Sequence, residues 1–244
     1  MTFKKTDQVQ LIGHKNYLIY LNEDAFSTEY GNFDLKAMRK LKPGDKVKTH
    51  MGKEFTIVIP RIPDKLRKIK RAPQIITFKD AGIIAAHTGM CKTDVVVEAG
   101  GGSGAMTIFM SSIVKQVHTY EIRKDFYEIV KKNLDRCGVT NVDLKNADVT
   151  KGIKEKEVDI VMLDMGAPAS AVPGAYKALK PGGFIVGYCP TVEQVVKFKN
   201  SLTKFSNIMV REIIERIWEA GGDMSRPRTA PIGHTAFLIF ARKI

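Results

Sequence analysis

Cysteine is sparse in this chain. Three residues, Cys91, Cys137 and Cys189, stand far apart, odd in number and without a C-x-x-C pair. That usage predicts isolated, mostly buried thiols and argues against a disulfide scaffold or a zinc site. Long apolar runs are also missing. No stretch reaches the roughly 18 consecutive apolar residues of a membrane-spanning helix. The opening residues, MTFKKTDQVQ, carry no apolar h-region of a secretion signal, so the cytoplasm is the expected compartment. There is no internal repeat and no low-complexity segment. Acids are outnumbered, 26 against 39 lysines and arginines, for a net charge of +13. Net charge speaks to association and not to fold, and an excess of this sign points to a polyanionic partner, with nucleic acid the foremost candidate.

Enough apolar sequence remains to bury a sizeable core, at 44% of 244 residues. The length allows one large domain, or an ordinary domain with a small one beside it. Residues 1–62 read as a small β domain. QVQLIG, NYLIYL and EFTIVIP are β-branched and aromatic runs separated by turn chemistry. Residues 63–74 read as a basic linker or short helix, with Lys65, Arg67, Lys68, Lys70 and Arg71 between prolines. From 75 to 244 helical patterns alternate with apolar strands: DAGIIAAHTGM, then DVVVEAG, AMTIFMSSIV, QVHTYEI, and KDFYEIVKKNLDRCG with its stop at Gly138. VDIVMLD and FIVGYC continue the strands, and NIMVREIIERIW and HTAFLIFARK are expected as the last two. Such alternation predicts an α/β domain with a mostly parallel sheet covered on both faces.

The densest glycine of the chain follows the first strand of that alternation, in VVVEAGGGSGAM, residues 95–106. In open α/β sheets ligands sit beyond the carboxyl ends of the strands, so this loop faces the ligand crevice. A dinucleotide fingerprint G-x-G-x-x-G starting at Gly102 and Gly104 would need glycine at 107, where Thr107 stands. The spacing present is Glu98-x-Gly100-x-Gly102-x-Gly104. The next strand ends in Glu121, placed to accept from both ribose hydroxyls of a nucleoside. Phe126 follows, positioned to pack near an adenine or in the core. The third strand ends at Asp148 and the fourth at Asp164.

The E-x-G-x-G-x-G loop resembles motif I of the class I S-adenosylmethionine-dependent methyltransferases, a Rossmann-like fold with a seven-stranded, mostly parallel sheet. QIITFKDAG at 74–82 and RPRTAPIGHTAFLIFARK at 226–243, with the small N-terminal β domain, narrow the resemblance. Together they resemble the tRNA N1-methyladenosine methyltransferases that modify the T-loop at adenine 58 and, in some archaea, at 57. The resemblance covers nearly the whole chain, and its GHTAFL tail is more specific than the glycine loop. It implies S-adenosylmethionine as cofactor, tRNA as partner, a homotetramer, and chemistry that needs no metal. It implies that Glu98, Gly100 and Gly102 form the cofactor loop, and that Ser103, Gly104, Ala105 and Met106 line the methionine part. Glu121 would hold the ribose, with Phe126 near the adenine and Asp148 on its amino group. Asp164 would face cofactor and target base and act in catalysis. Phe78, Arg226 and His234 would lie on the RNA side.

Two departures from the family pattern bear on the base pocket. Where the family has Asp-Leu-Pro-x-Pro-Trp, this chain has Asp164, Met165, Gly166, Ala167, Pro168, Ala169. Where tyrosine is common, Phe78 stands, which retains stacking and loses a hydroxyl. Two competing readings follow. One is a methyltransferase of another substrate, a small molecule of corrinoid-precursor type. The other is a non-catalytic tRNA-binding subunit with a degenerate site.

Overall fold

In a computed structural model, residues 2–71, 75–221, 224–230 and 232–244 are described. The chain divides into two compact units, Met1–Ile69 and Lys70–Ile244.

The first unit contains β1 (Gln8–Ile12), β2 (Tyr17–Tyr20), β3 (Ala25–Thr28), β4 (Gly31–Asp34), α1 (Leu35–Met38), β5 (Lys46–Lys48), β6 (Glu54–Val58) and α2 (Ile62–Leu66). Its sheet runs β2-β1-β6-β5, all antiparallel, and β3 and β4 form a separate ribbon. Alternate residues of these short strands, among them Val9, Leu11, Phe33, Phe55 and Ile57, fill one apolar core. The basic stretch expected at 63–74 is divided. Leu66 and Ile69 are buried, at 8% and 6% exposure, which ties the stretch as far as Ile69 to the first unit. Residues 72–74 lie outside the described residues.

The second unit contains α3 (Phe78–Thr88), β7 (Val95–Ala99), α4 (Ala105–Ser111), β8 (Gln116–Tyr120), α5 (Lys124–Cys137), β9 (Val142–Lys145), β10 (Val158–Leu163), α6 (Val172–Ala178), β11 (Leu179–Cys189), α7 (Val192–Ser201), β12 (Phe205–Glu212), β13 (Trp218–Gly221), β14 (Met224–Pro227) and β15 (Phe237–Lys243). Seven strands make one sheet in the order β12-β15-β11-β10-β7-β8-β9. The pairs from β11 to β9 are parallel, and β15 runs antiparallel to both β11 and β12. The predicted strand at 207–218 is shorter. It ends at Glu212, and Trp218 opens a small antiparallel ribbon, β13–β14, that the sequence pattern did not announce.

The central strands carry apolar residues on both faces because both faces are covered. Val96, Ile160, Met162 and Val186 pack with Ile84 of α3 and Met106 and Met110 of α4. Their neighbours Val97, Val161, Leu163 and Ile185 point the other way, onto Val172 and Ala175 of α6 and Phe198 of α7. α5 stops as predicted at Gly138, which takes the left-handed conformation at φ 65°. The strand order reverses beside β7, and the carboxyl ends of β7 and β10 meet there, with the Asp164 amide donating to the Ala99 carbonyl at 2.8 Å.

Candidate active site

The glycine loop owes its shape to that meeting. Gly100 has φ 91°, and a Cβ on it would overlap the carbonyl oxygen of Asp164. Only glycine lets the two strand ends come this close. Gly104 caps α4 in the left-handed region, at φ 78°. Beneath the loop lies Glu98, 1% exposed, whose Oε2 accepts from the hydroxyls of Thr107 at 2.5 Å and Thr119 at 2.8 Å. Burial pushes Glu98 up to about 8, against the pull of those two hydroxyls. Thr107, the residue that breaks the dinucleotide fingerprint, therefore ties α4 to β7.

Glu121 follows the end of β8 at 4% exposure. Its Oε2 accepts from the Gly102 amide at 2.9 Å and its Oε1 from the Arg123 amide at 2.8 Å. A cavity of about 310 Å³ opens here, bounded by Gly100, Gly102, Glu121, Phe126, Asp164 and Gln194. The Arg123 guanidinium covers the Phe126 ring at 3.8 Å. Gln194 donates from Nε2 to the Gly166 carbonyl at 2.9 Å and so holds the altered segment after Asp164.

Asp164 is half-buried and also borders a second cavity of about 260 Å³, with Ile75, Ile76, Tyr188, Pro190, His234 and Thr235. No hydrogen bond to its carboxylate exists among the described residues. Burial, and then the charge of Glu121, push it up to about 7. His234 is fixed at both nitrogens, Nε2 2.9 Å from the Pro190 carbonyl and Nδ1 2.6 Å from Glu212 Oε1. A carbonyl only accepts, so Nε2 donates. A proton on Nδ1 as well gives an imidazolium that satisfies both contacts. Accordingly the His234 pKa is raised, first by the Glu212 bond and then by Pro190.

Behind the second cavity lies a buried polar network that the sequence reading missed. Asp80, fully buried, accepts from Lys79 at 2.7 Å, Thr235 at 2.8 Å, Thr77 at 3.0 Å and Tyr188 at 3.3 Å. Lys79 also donates to Thr235 at 2.6 Å. The network joins the start of α3 to the end of β11 and to the loop before β15.

The structure thus brings Gly100, Gly102, Glu121, Phe126, Asp164 and His234 to two adjoining cavities. It places the other expected residues elsewhere. Glu98, Ser103, Gly104, Ala105 and Met106 border neither cavity; Met106 packs in the core on α4. Asp148 caps a 3₁₀ turn, its Oδ1 accepting from the Thr150 amide at 2.9 Å and hydroxyl at 2.7 Å. Phe78 is 47% exposed at the start of α3 and borders neither cavity. Arg226 lies on the β13–β14 ribbon, 3.4 Å from Glu219. Among the described residues one group, His118, Asp143 and Glu155, gathers ligand atoms within 4.8 Å, and the Lys145 ammonium already pairs with both of its acids.

The loop fits a cofactor without phosphates. The carboxylates of Glu121 and Asp164 face the first cavity, where a pyrophosphate would be repelled, and a cationic sulfonium and a ribose diol are welcome. The strand order, the glycine turn at its switch point and these two carboxylates define a class I S-adenosylmethionine-dependent methyltransferase fold. Solved structures agree. A SAM-dependent O-methyltransferase from Thermotoga maritima is 32% identical at a TM-score of 0.85, over 100% of this chain and 95% of that one. The tRNA (m1A58) methyltransferase TrmI from Aquifex aeolicus is 27% identical at 0.79, over 100% and 99%. The chain belongs to the family described as tRNA methyltransferase complex GCD14 subunit, which matches residues 65–223. A curated relative from Methanocaldococcus jannaschii, tRNA (adenine(57)-N(1)/adenine(58)-N(1))-methyltransferase TrmI, is 36% identical over 93% of this chain and 91% of its own length.

Proposed function

We propose that the protein transfers a methyl group from S-adenosylmethionine to N1 of a T-loop adenine in tRNA, at position 58. The observation that carries this reading is Asp164, the one acid among the described residues that borders both cavities. The glycine-loop cavity suits the cofactor and the Tyr188–His234 cavity suits a flipped base. When bound, the cofactor supplies an electrophilic methyl on its sulfonium. Glu121 accepts from the ribose hydroxyls. Beyond the residues that line the cavity, the reading gives Asp148 Oδ2 to the cofactor's adenine amino group and the turn from Ser103 to Met106, which follows the lining residue Gly102, to its methionine part.

Asp164 accepts from N6–H of the target adenine. As N1 gains the methyl, positive charge develops on the base, and the carboxylate both stabilises that charge and takes the N6 proton. A carboxylate pushed up to about 7 is a stronger base than a solvated one, matched to work near neutrality. Unstacking the target base costs about a few kcal/mol, which wall contacts in the second cavity offset. His234, held by Glu212 and the Pro190 carbonyl, is a fixed wall of that cavity on the RNA side.

The Thermotoga relative's title names an oxygen acceptor, and the TrmI relatives name adenine N1. A carboxylate beside an exocyclic amine favours the adenine. Nucleoside mass spectrometry of tRNA treated with the pure protein and S-adenosylmethionine decides, since 1-methyladenosine and a ribose-methylated nucleoside separate. The reading includes a homotetramer in the cytoplasm. It is supported by the open edge of β12 and by Ile208, Val210, Ile214, Trp218 and Met224, exposed by 37–78% in one stretch of sequence. Among the described residues no helix is long and apolar enough to cross a membrane.

A further inference from the structure

The first unit contains a groove that methyl transfer does not use. It measures about 460 Å³, and its border includes Gln10, His14, Lys15, Asp64, Arg67 and Lys68. Its charges are unequally committed. Lys15 is paired to Glu29 at 2.9 Å, and Asp64 accepts from the Arg61 amide at 2.9 Å. Arg67 and Lys68 pair with no acid among the described residues. Two adjacent cations are left for an outside anion.

Two further features restrict that anion's chemistry. His14 is exposed beside the groove, with its ring stacked on Tyr30 at 5.6 Å and 26°. A ring supported from behind by a second ring is a platform on which a base can stack. Gln10 sits on β1, opposite Leu18 of β2 and Val58 of β6, and is 2% exposed. Its side-chain Oε1 has no partner among the described residues. A buried acceptor left open calls for a donor, which a ribose hydroxyl or a base amino group provides.

We propose that this groove binds one nucleotide of the RNA substrate, its phosphate on Arg67 and Lys68, its base against His14, and its ribose or base donor on Gln10. The inference rests on the reading that the substrate is tRNA. It adds a contact in the first unit, whose residues border neither cavity of the second. An inorganic anion would use the two cations and leave His14 and Gln10 idle.

The test uses the full chain and transcribed tRNA. Arg67→Gln/Lys68→Gln is compared with Lys4→Gln/Lys5→Gln, which removes the same charge from exposed residues of the same unit away from the groove. Affinity is read by fluorescence anisotropy across a salt series. Each lost phosphate contact lowers the slope of log affinity against log salt by about 0.7–0.9, so the groove variant, which loses one phosphate, should lose about that much and the control much less. His14→Ala, which keeps the net charge, should weaken binding by about 5-fold or more, the value of one stacked base. Cofactor affinity and kcat at saturating tRNA should stay at wild-type values, with KM carrying the change. Groove variants that bind tRNA with the control's affinity and slope, beside a wild type that methylates tRNA, overturn this proposal alone. A wild type that methylates no RNA overturns the substrate reading and this proposal with it. Should the double variant melt early, Arg67→Gln alone, at an exposed residue, carries the same comparison.

Discussion

Cofactor binding should release protons, and Asp164 should be their source. With its carboxyl pushed up to about 7, Asp164 is about half protonated at pH 7 in the free protein. A cation within hydrogen-bonding range or just beyond lowers a carboxylate pKa by about 1–3 units. S-adenosylmethionine carries such a cation, and the expected release at pH 7 is then about 0.4–0.5 proton, falling to about 0.1 at pH 8, where little Asp164 remains protonated. The sign runs one way. The bound state has the lower pKa, so affinity for the cofactor rises with pH through the bound pKa and levels off above the free value near 7. Calorimetry in buffers of different ionisation enthalpy reads the protons directly. S-adenosylhomocysteine is the internal control, because it has the same amino-acid tail and a neutral sulfur. The two ligands should differ by the Asp164 proton, and Asp164→Asn should erase the difference. Equal release with both ligands in the wild type would refute the placing of a sulfonium beside this carboxylate.

Three other outcomes follow from the same geometry. Asp164→Asn keeps the side-chain shape and removes the proton acceptor, so single-turnover methylation should slow by about 100-fold or more while tRNA affinity is unchanged. Glu121→Ala should weaken cofactor binding by about 1–3 kcal/mol in calorimetry, since the ribose loses its acceptor and the Gly102 and Arg123 amides lose theirs. Asp80→Asn leaves the Lys79 ammonium, 8% exposed, without its carboxylate. Urea unfolding should show a loss on the order of 3 kcal/mol, the cost of breaking a buried pair from one side, and KM for tRNA should rise as Tyr188 and Thr235 lose their anchor.

Local pattern announced the parts of the site that short sequence spans determine. The run Val95–Ala99, the glycines after it and Glu121 at the next strand end are each a matter of a few residues. Their order along the chain is their order around the cofactor cavity. The right-handed βαβ rule then leaves little freedom in where they meet. What stayed hidden depends on partners far apart. Asp80 and Thr235 are 155 positions apart, and Asp80 and Tyr188 are 108 apart. Nothing at either position marks the other. Asp148 carries two readings at once. A strand-end acid reads as a ligand to the cofactor, and an acid two residues before a threonine is equally a turn cap, which is how its Oδ1 is used. The β13–β14 ribbon escaped notice because its residues are almost entirely exposed and carry no alternation of buried and open positions.

The place of β15 in the sheet has a consequence for the order in which the protein becomes competent. β15 comes after β12 in the chain and lies between β12 and β11. Every residue that borders the glycine-loop cavity, from Gly100 to Gln194, has left the ribosome before His234 and Thr235 are made. The cofactor half of the crevice can therefore be assembled on a growing chain whose acceptor half is still short of two wall residues. Until β15 arrives, β11 shows a bare apolar edge, and its closing partner must be threaded into the gap rather than added at the rim. Such late, non-local pairing is slow. The young enzyme passes through an interval in which the walls for the methyl donor are all made and the cavity for the base still lacks His234 and Thr235.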